Sequence, residues 1–228
     1  MKRNIAVIGT ICILAFLIIW LLADQNGGKK PESEQSSRES EASANGVEAQ
    51  VIELPPCTLP VNEDGLIEVI TPQNLFGGKD ITAEEYVGNY FDYYKDADSP
   101  QRATSIVSNN NGTVTEFYTL EQLEQLRLNI YSYAQLHKSF SLDSIKEVIL
   151  KDDMLTTITV LVDFEIYQQN GFERQVANSV LAIYAGVFQL LTGIPADEWH
   201  TTITIEDVNT RELVSKTDFP NDDMYRVY

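Results

Sequence analysis

Residues 5–23, IAVIGTICILAFLIIWLLA, run for nineteen positions without a charge, directly after Lys2 and Arg3. At about 1.5 Å per helical residue such a run is long enough to cross a hydrocarbon core of roughly 30 Å. The remaining chain must therefore fold on one side of a bilayer. A cleavable signal peptide would carry a shorter apolar core, about 7 to 15 residues, and a small residue at each cleavage subsite. Here Leu21 occupies a position that wants a small side chain, although cleavage near Ala23 would release a secreted form. Lipid acylation would require a cysteine behind small residues at the end of the run, whereas Cys12 follows Gly9-Thr10-Ile11 in mid-span. The expectation is an uncleaved single-pass anchor. Lys2 and Arg3 put residues 1–4 in the cytoplasm and the rest of the chain outside the cell membrane.

Residues 24–50 hold one aliphatic side chain larger than alanine, Val47. They cannot bury enough apolar surface to offset the entropy of ordering, and so read as a disordered acidic, Ser-rich stalk. The extracytoplasmic domain is then 51–228. The chain carries a net charge of −18, and with five basic and six acidic residues in the first 50, the domain holds 11 basic against 28 acidic. A field of that sign excludes nucleic acid as a partner, since phosphate backbones demand the opposite charge. Outside the apolar run there is one cysteine, Cys57, so no disulfide can form within the domain.

Within the domain, Pro55, Pro56, Pro60 and Pro72 break up any helix in the first stretch, and residues 66–70 read as a strand. Thr82 and Glu85 have capping-box spacing, followed by Tyr86, Tyr90, Tyr93 and Tyr94 on one helix. Asn109-Asn-Asn-Gly112 between two β-branched runs predicts a hairpin. Thr119 and Gln122 open a second helix whose apolar side carries Leu120, Leu123, Leu126, Ile130 and Tyr133. Residues 145–150, the turn 151–153 and residues 155–167 make a second hairpin. In its second arm Ile158, Val160, Val162, Phe164 and Ile166 alternate with Thr157, Thr159, Leu161, Asp163 and Glu165. A third helix spans 173–192, apolar round most of its circumference and read as a core helix rather than a second span. Strands 200–207 and 211–217 follow. The predicted fold is α+β: an antiparallel sheet with helices packed on one face, in the order strand and then helix-hairpin three times, behind a single N-terminal transmembrane helix.

Several of these pieces resemble a known group. They are Leu75-Phe-Gly-Gly with Thr82-Ala-Glu-Glu85, the turn 110–115, the strand Thr159-Val-Leu-Val-Asp163, and the run from Tyr184 to Asp197 followed by Thr201-Thr-Ile-Thr-Ile. Residues from about 75 to 220 resemble an uncharacterised family of exported proteins, often lipoproteins, of Gram-positive bacteria. The resemblance implies an extracytoplasmic location and the α+β architecture, and it carries over no functional residue. This chain departs from the lipoprotein pattern in lacking the acylated cysteine.

No motif for a nucleophile, a metal site or a phosphate-binding loop is present. His137 and His200 read as ordinary imidazoles. The carboxylates Asp92, Asp96, Asp98, Asp152, Asp153, Asp218, Asp222 and Asp223 match no calcium loop. The expectation is a non-enzymatic domain without catalytic residue, cofactor or metal, binding a protein or an envelope polysaccharide. An envelope hydrolase using clustered carboxylates, or a single-span subunit of an envelope assembly, is the alternative. If strands 157–166 and 200–207 share a sheet, Thr157, Thr159, Asp163, Glu165, Thr202, Thr204 and Glu206 form one polar face, the candidate binding surface.

Overall fold

The computed structural model describes residues 53–76, 81–94, 102–135 and 142–221. The expected anchor 5–23 and stalk 24–50, with His137, Asp96, Asp98, Asp222 and Asp223, lie outside the described residues, as do the side chains of 91–94. The described chain is α+β, as the patterning predicts.

Strand β1 (Ile67–Thr71) buries Ile67, Val69 and Thr71 and exposes the residues between them. It pairs antiparallel with β3 (Val114–Tyr118), which pairs antiparallel with β2 (Ser105–Ser108). The β2–β3 turn is the predicted one. Gly112 takes φ +80° and donates to the Asn109 carbonyl at 3.0 Å, a conformation that costs a glycine nothing. Two helices precede β2. The first, α1 (Gln73–Phe76), starts directly after Pro72, whose carbonyl accepts from Leu75 N–H at 2.9 Å. Proline at a helix entrance is tolerated, so reading this stretch as helix-free was too strict. The second, α2 (Ala83–Tyr94), starts at the expected capping box, with Thr82 N–H donating to Glu85 at 2.9 Å and Glu85 N–H to Thr82 Oγ1 at 3.2 Å.

The other four strands form a second sheet in the order β4 (Ile145–Leu150), β5 (Thr157–Val162), β6 (Thr201–Asp207), β7 (Leu213–Phe219). The expected single antiparallel sheet is thus two sheets, and β5 and β6 run parallel. A parallel pair needs a crossover, supplied here by α4 (Phe164–Gln169) and the helix Gly171–Thr192, α5. Running back across the sheet, α5 returns the chain to the end where β5 began.

The second hairpin arm is also shorter than expected. Asp163 leaves the strand and caps α4, accepting from Ile166 N–H at 3.4 Å. Ile158, Val160 and Val162 are wholly buried as predicted, but Phe164 and Ile166 are 38% and 39% exposed. Ile158→Ala should therefore cost at least about 2 kcal/mol and Phe164→Ala only about 1. Denaturant midpoints would measure both, and equal losses would return Phe164 to the core.

Helix α5 starts at Gly171 rather than at residue 173, with Asn170 as its cap, and passes through a π-helical turn at Val176–Val180. It is long and apolar enough to cross a membrane, yet 83% of its most apolar stretch is buried inside the fold. It packs against α3 (Leu120–Ala134), β1, β6 and α1, touching both sheets. Gly193 closes it at φ +112°, donating to the Gln189 and Leu190 carbonyls at 3.1 Å. On α3 the predicted capping box of Thr119 and Gln122 is present. Its buried line is Leu123, Arg127, Ile130 and Ala134, whereas Leu120 is 56% exposed and not on the apolar side. Arg127 bonds Glu124 at 2.7 Å and the Pro55 carbonyl, holding the segment entering the domain against α3. Cys57, a free thiol, donates to the Leu191 carbonyl at 3.5 Å.

Candidate functional site

The parallel register sets Thr157 beside Thr202, Thr159 beside Thr204 and Leu161 beside Glu206, so the four expected threonines meet as two side-by-side pairs. On the next strand Thr202 lies opposite Asp218 and Thr204 opposite Lys216. Thr202 Oγ1 donates to Asp218 Oδ1 at 2.6 Å, and Glu206 pairs with Arg211 at 3.0 Å. Thr159, between Ile149 and Thr204, is buried, while Thr157 is exposed and Thr202, Thr204 and Glu206 are half-buried.

Asp163 and Glu165 do not belong to this face. Asp163 donates its backbone N–H to the Ser144 carbonyl at 2.8 Å and caps α4, and Glu165 sits in the first turn of that helix. The reason is local: an aspartate three residues before a helical amide satisfies an N–H that the strand could not. At the same end of the sheet, Asp207 accepts from the backbone of Thr210 and Asn209, both at 2.8 Å, and of Phe164 at 3.2 Å. Those amides, Thr210 foremost, hold its carboxyl below the usual carboxylate range.

Asp152 accepts from Met154, Thr156 and Thr157 and shapes the β4–β5 turn. Among the described residues no group of three metal-ligating side chains converges. His200 is exposed; its backbone is held in both directions by Gln189, N–H to Oε1 at 3.1 Å and carbonyl to Nε2 at 2.8 Å. Of the tyrosine quartet, Tyr90 is core, its hydroxyl accepting from Ala103 N–H at 2.8 Å, and Tyr86 stacks on Phe76 with ring centroids 4.7 Å apart.

Two buried carboxyls escaped the sequence reading. Glu173, in the first turn of α5, accepts from Asn170 Nδ2 at 2.7 Å, from Asp143 N–H at 2.9 Å, from Ser144 N–H at 2.6 Å, from Ile145 N–H at 3.3 Å and from the Ser144 hydroxyl. Burial alone would raise its pKa; the Ser144 hydroxyl and the three amides outweigh that and hold it low. Glu116, on the core face of β3 between Val69 and Ile106, is the reverse case. Burial pushes its carboxyl from the ordinary 4.5 up to about 7, against hydrogen bonds from Thr71, Tyr118 and Tyr86. Thr71 Oγ1 donates to it at 3.0 Å. A signal did exist for Glu116: in Val114-Thr-Glu-Phe-Tyr118 it shares the parity of Val114 and Tyr118.

No family model, curated protein or solved structure matches the chain.

Proposed function

We propose that the chain is a single-pass, membrane-anchored extracytoplasmic interaction domain, with residues 5–23 as anchor, 24–50 as stalk and 51–228 as the part that meets a partner. The uncharged nineteen-residue run behind Lys2 and Arg3 carries this reading. The resemblance of residues from about 75 to 220 to exported Gram-positive proteins favours the same compartment. The burial of α5 favours a single span, because the one helix among the described residues that is apolar enough to cross is used as core. A binding role rather than a catalytic one is favoured by how the carboxylates are spent: Asp152, Asp163, Asp207 and Glu173 each accept backbone amides of their own fold. The surface offered to a protein or envelope polysaccharide is the polar side of the four-stranded sheet: Thr157, Thr202, Thr204 and Glu206, with Lys216 and Asp218 from β7.

Protein extracted from membranes should begin at the start of the chain on N-terminal sequencing and should stay with the bilayer through an alkaline wash. A mature terminus at Asp24 would overturn the anchor. Thr157→Arg with Thr204→Arg should abolish recovery of the partner by the full chain while leaving its circular dichroism unchanged, and undiminished recovery would move the binding surface elsewhere.

A further inference from the structure

We propose that Glu116 is a proton-operated latch that holds α2 and β1 on β3 while its carboxyl is neutral and loosens them when it ionises. The geometry places the group at a three-way junction. Thr71 reaches it from β1, Tyr118 from its own strand and Tyr86 from α2, and Glu116 itself is only 7% exposed. Tyr86 in turn stacks on Phe76 of α1, so the same phenol links α2, α1 and the sheet. The second phenolic tie of α2 is Tyr90, which accepts from Ala103 N–H just before β2.

What makes the junction a switch is that, among the described residues, no counter-charge meets the Glu116 carboxyl. None of the five elements round it, IEVIT, QNLF, AEEYVGNYFDYY, SIVS and VTEFY, contains a lysine, arginine or histidine. The acids on those elements add no compensation: Glu68, Glu84 and Glu85 are exposed, and Glu85 serves the Thr82 amide. Helix α3, packed on β3, carries Arg127, which is engaged by Glu124 and Pro55, together with Glu121 and the phenols Tyr131 and Tyr133. Helix α5, packed on β1, carries Glu173, bound by Ser144, Arg174, which donates to the Gln168 carbonyl at 3.0 Å, and the phenol Tyr184. Arg102, in the loop before β2, is not among the groups that bear on the Glu116 carboxyl. Among the described residues a carboxylate here is met by three neutral hydroxyls, which favour its charge but do not make up for lost water.

The sign follows from linkage. The packed state binds the proton up to about pH 7 and the opened state, with the carboxyl in water, only to 4.5. Packing is therefore fully supported below 4.5, and the support is lost as pH rises through 7. A difference of that size multiplies the open fraction by up to about 300 across the window.

Hydrogen exchange on the full chain in detergent, corrected for the intrinsic pH dependence of amide exchange, would read this directly. Between about pH 5 and about pH 9, amides of 83–94 and 105–118 should open with a midpoint near neutrality, while those of β5 and β6 stay protected. Glu116→Gln, a neutral mimic of the protonated acid, should remain closed at every pH. Thr71→Val keeps the carboxyl but removes a donor that favours its charge, so the midpoint should move up. Opening that is independent of pH in the natural chain, an unchanged profile in E116Q, or an unmoved midpoint in T71V would each overturn the latch.

Discussion

Glu173→Ala should cost about 3 to 5 kcal/mol of stability, one of the two largest losses expected from a single substitution in this domain. The carboxylate accepts from Asn170 Nδ2, from the Asp143, Ser144 and Ile145 amides and from the Ser144 hydroxyl. Glu173 is 3% exposed and Ser144 wholly buried, so water replaces few of these bonds. A buried donor left without an acceptor costs about 1 to 3 kcal/mol, and water entering the vacated space relieves part of the sum. Glu173→Gln should do nearly as much harm, because its NH2 group would face donors. The substitution separates two elements at once, the entrance of β4 and the first turn of α5. Chemical denaturation near neutral pH, monitored by tryptophan fluorescence, would give the loss; a midpoint that does not move would show that these contacts contribute nothing net.

The same residue carries a pH signature opposite to that of Glu116. Burial opposes the charge of Glu173, but the Ser144 hydroxyl and the amides prevail and keep its carboxyl below the ordinary range. A group of that kind stabilises the fold above its unfolded value and loses its contribution as pH falls through the folded value. The natural chain and Glu173→Ala should therefore converge in stability on acidification. A gap between them that stays constant into acid would assign the loss to packing rather than to the charge.

Much of the architecture could be read from local signals, because those signals are local physics. The capping boxes at Thr82 and Thr119, the hairpin at Asn109–Gly112 and the β4–β5 turn each depend on residues within five positions of one another. Partnership between distant strands is not encoded that way. Alternation in Thr157–Val162 and Thr201–Asp207 says which side chains share a face, and is silent on whether the neighbour runs parallel. The end of β5 was hidden by a coincidence of periods. Phe164 and Ile166 continue a two-residue rhythm for one more turn, while Asp163 three positions before Ile166 already carries the capping signal. Five of the seven residues of the candidate polar face survived this error, since the threonines and Glu206 lie inside the strands and only Asp163 and Glu165 lie beyond them. Buried ionic groups were the least legible. Arg127 replaces an expected leucine in the buried line of α3, and Glu173 is recognisable only once Ser144, twenty-nine residues earlier, is seen to meet it.

Trp199→Ala should bring a comparable loss, about 3 to 5 kcal/mol, and should reverse the effect of a second substitution. Trp199 is the largest of the fully buried side chains. Its ring lies where α5 presents Gly186: a Cβ built there would meet Trp199 Cε3 at 2.9 Å, Cζ3 at 3.0 Å and Leu75 Cδ2 at 2.7 Å. The glycine is thus a close-approach position between α5, α1 and the residue two before β6. In the natural chain Gly186→Ala gains about 1 kcal/mol of helix preference and loses about 1 to 3 to overpacking, because an indole ring cannot bend aside. It should be destabilising. With Trp199 truncated, two of the three nearest atoms are gone and the third is the end of a leucine that can turn into the vacated space. Gly186→Ala should then stabilise Trp199→Ala by up to about 1 kcal/mol, so the double-mutant cycle shows a coupling of at least about 1 kcal/mol. Strictly additive losses would mean that helix and indole do not compete for one volume.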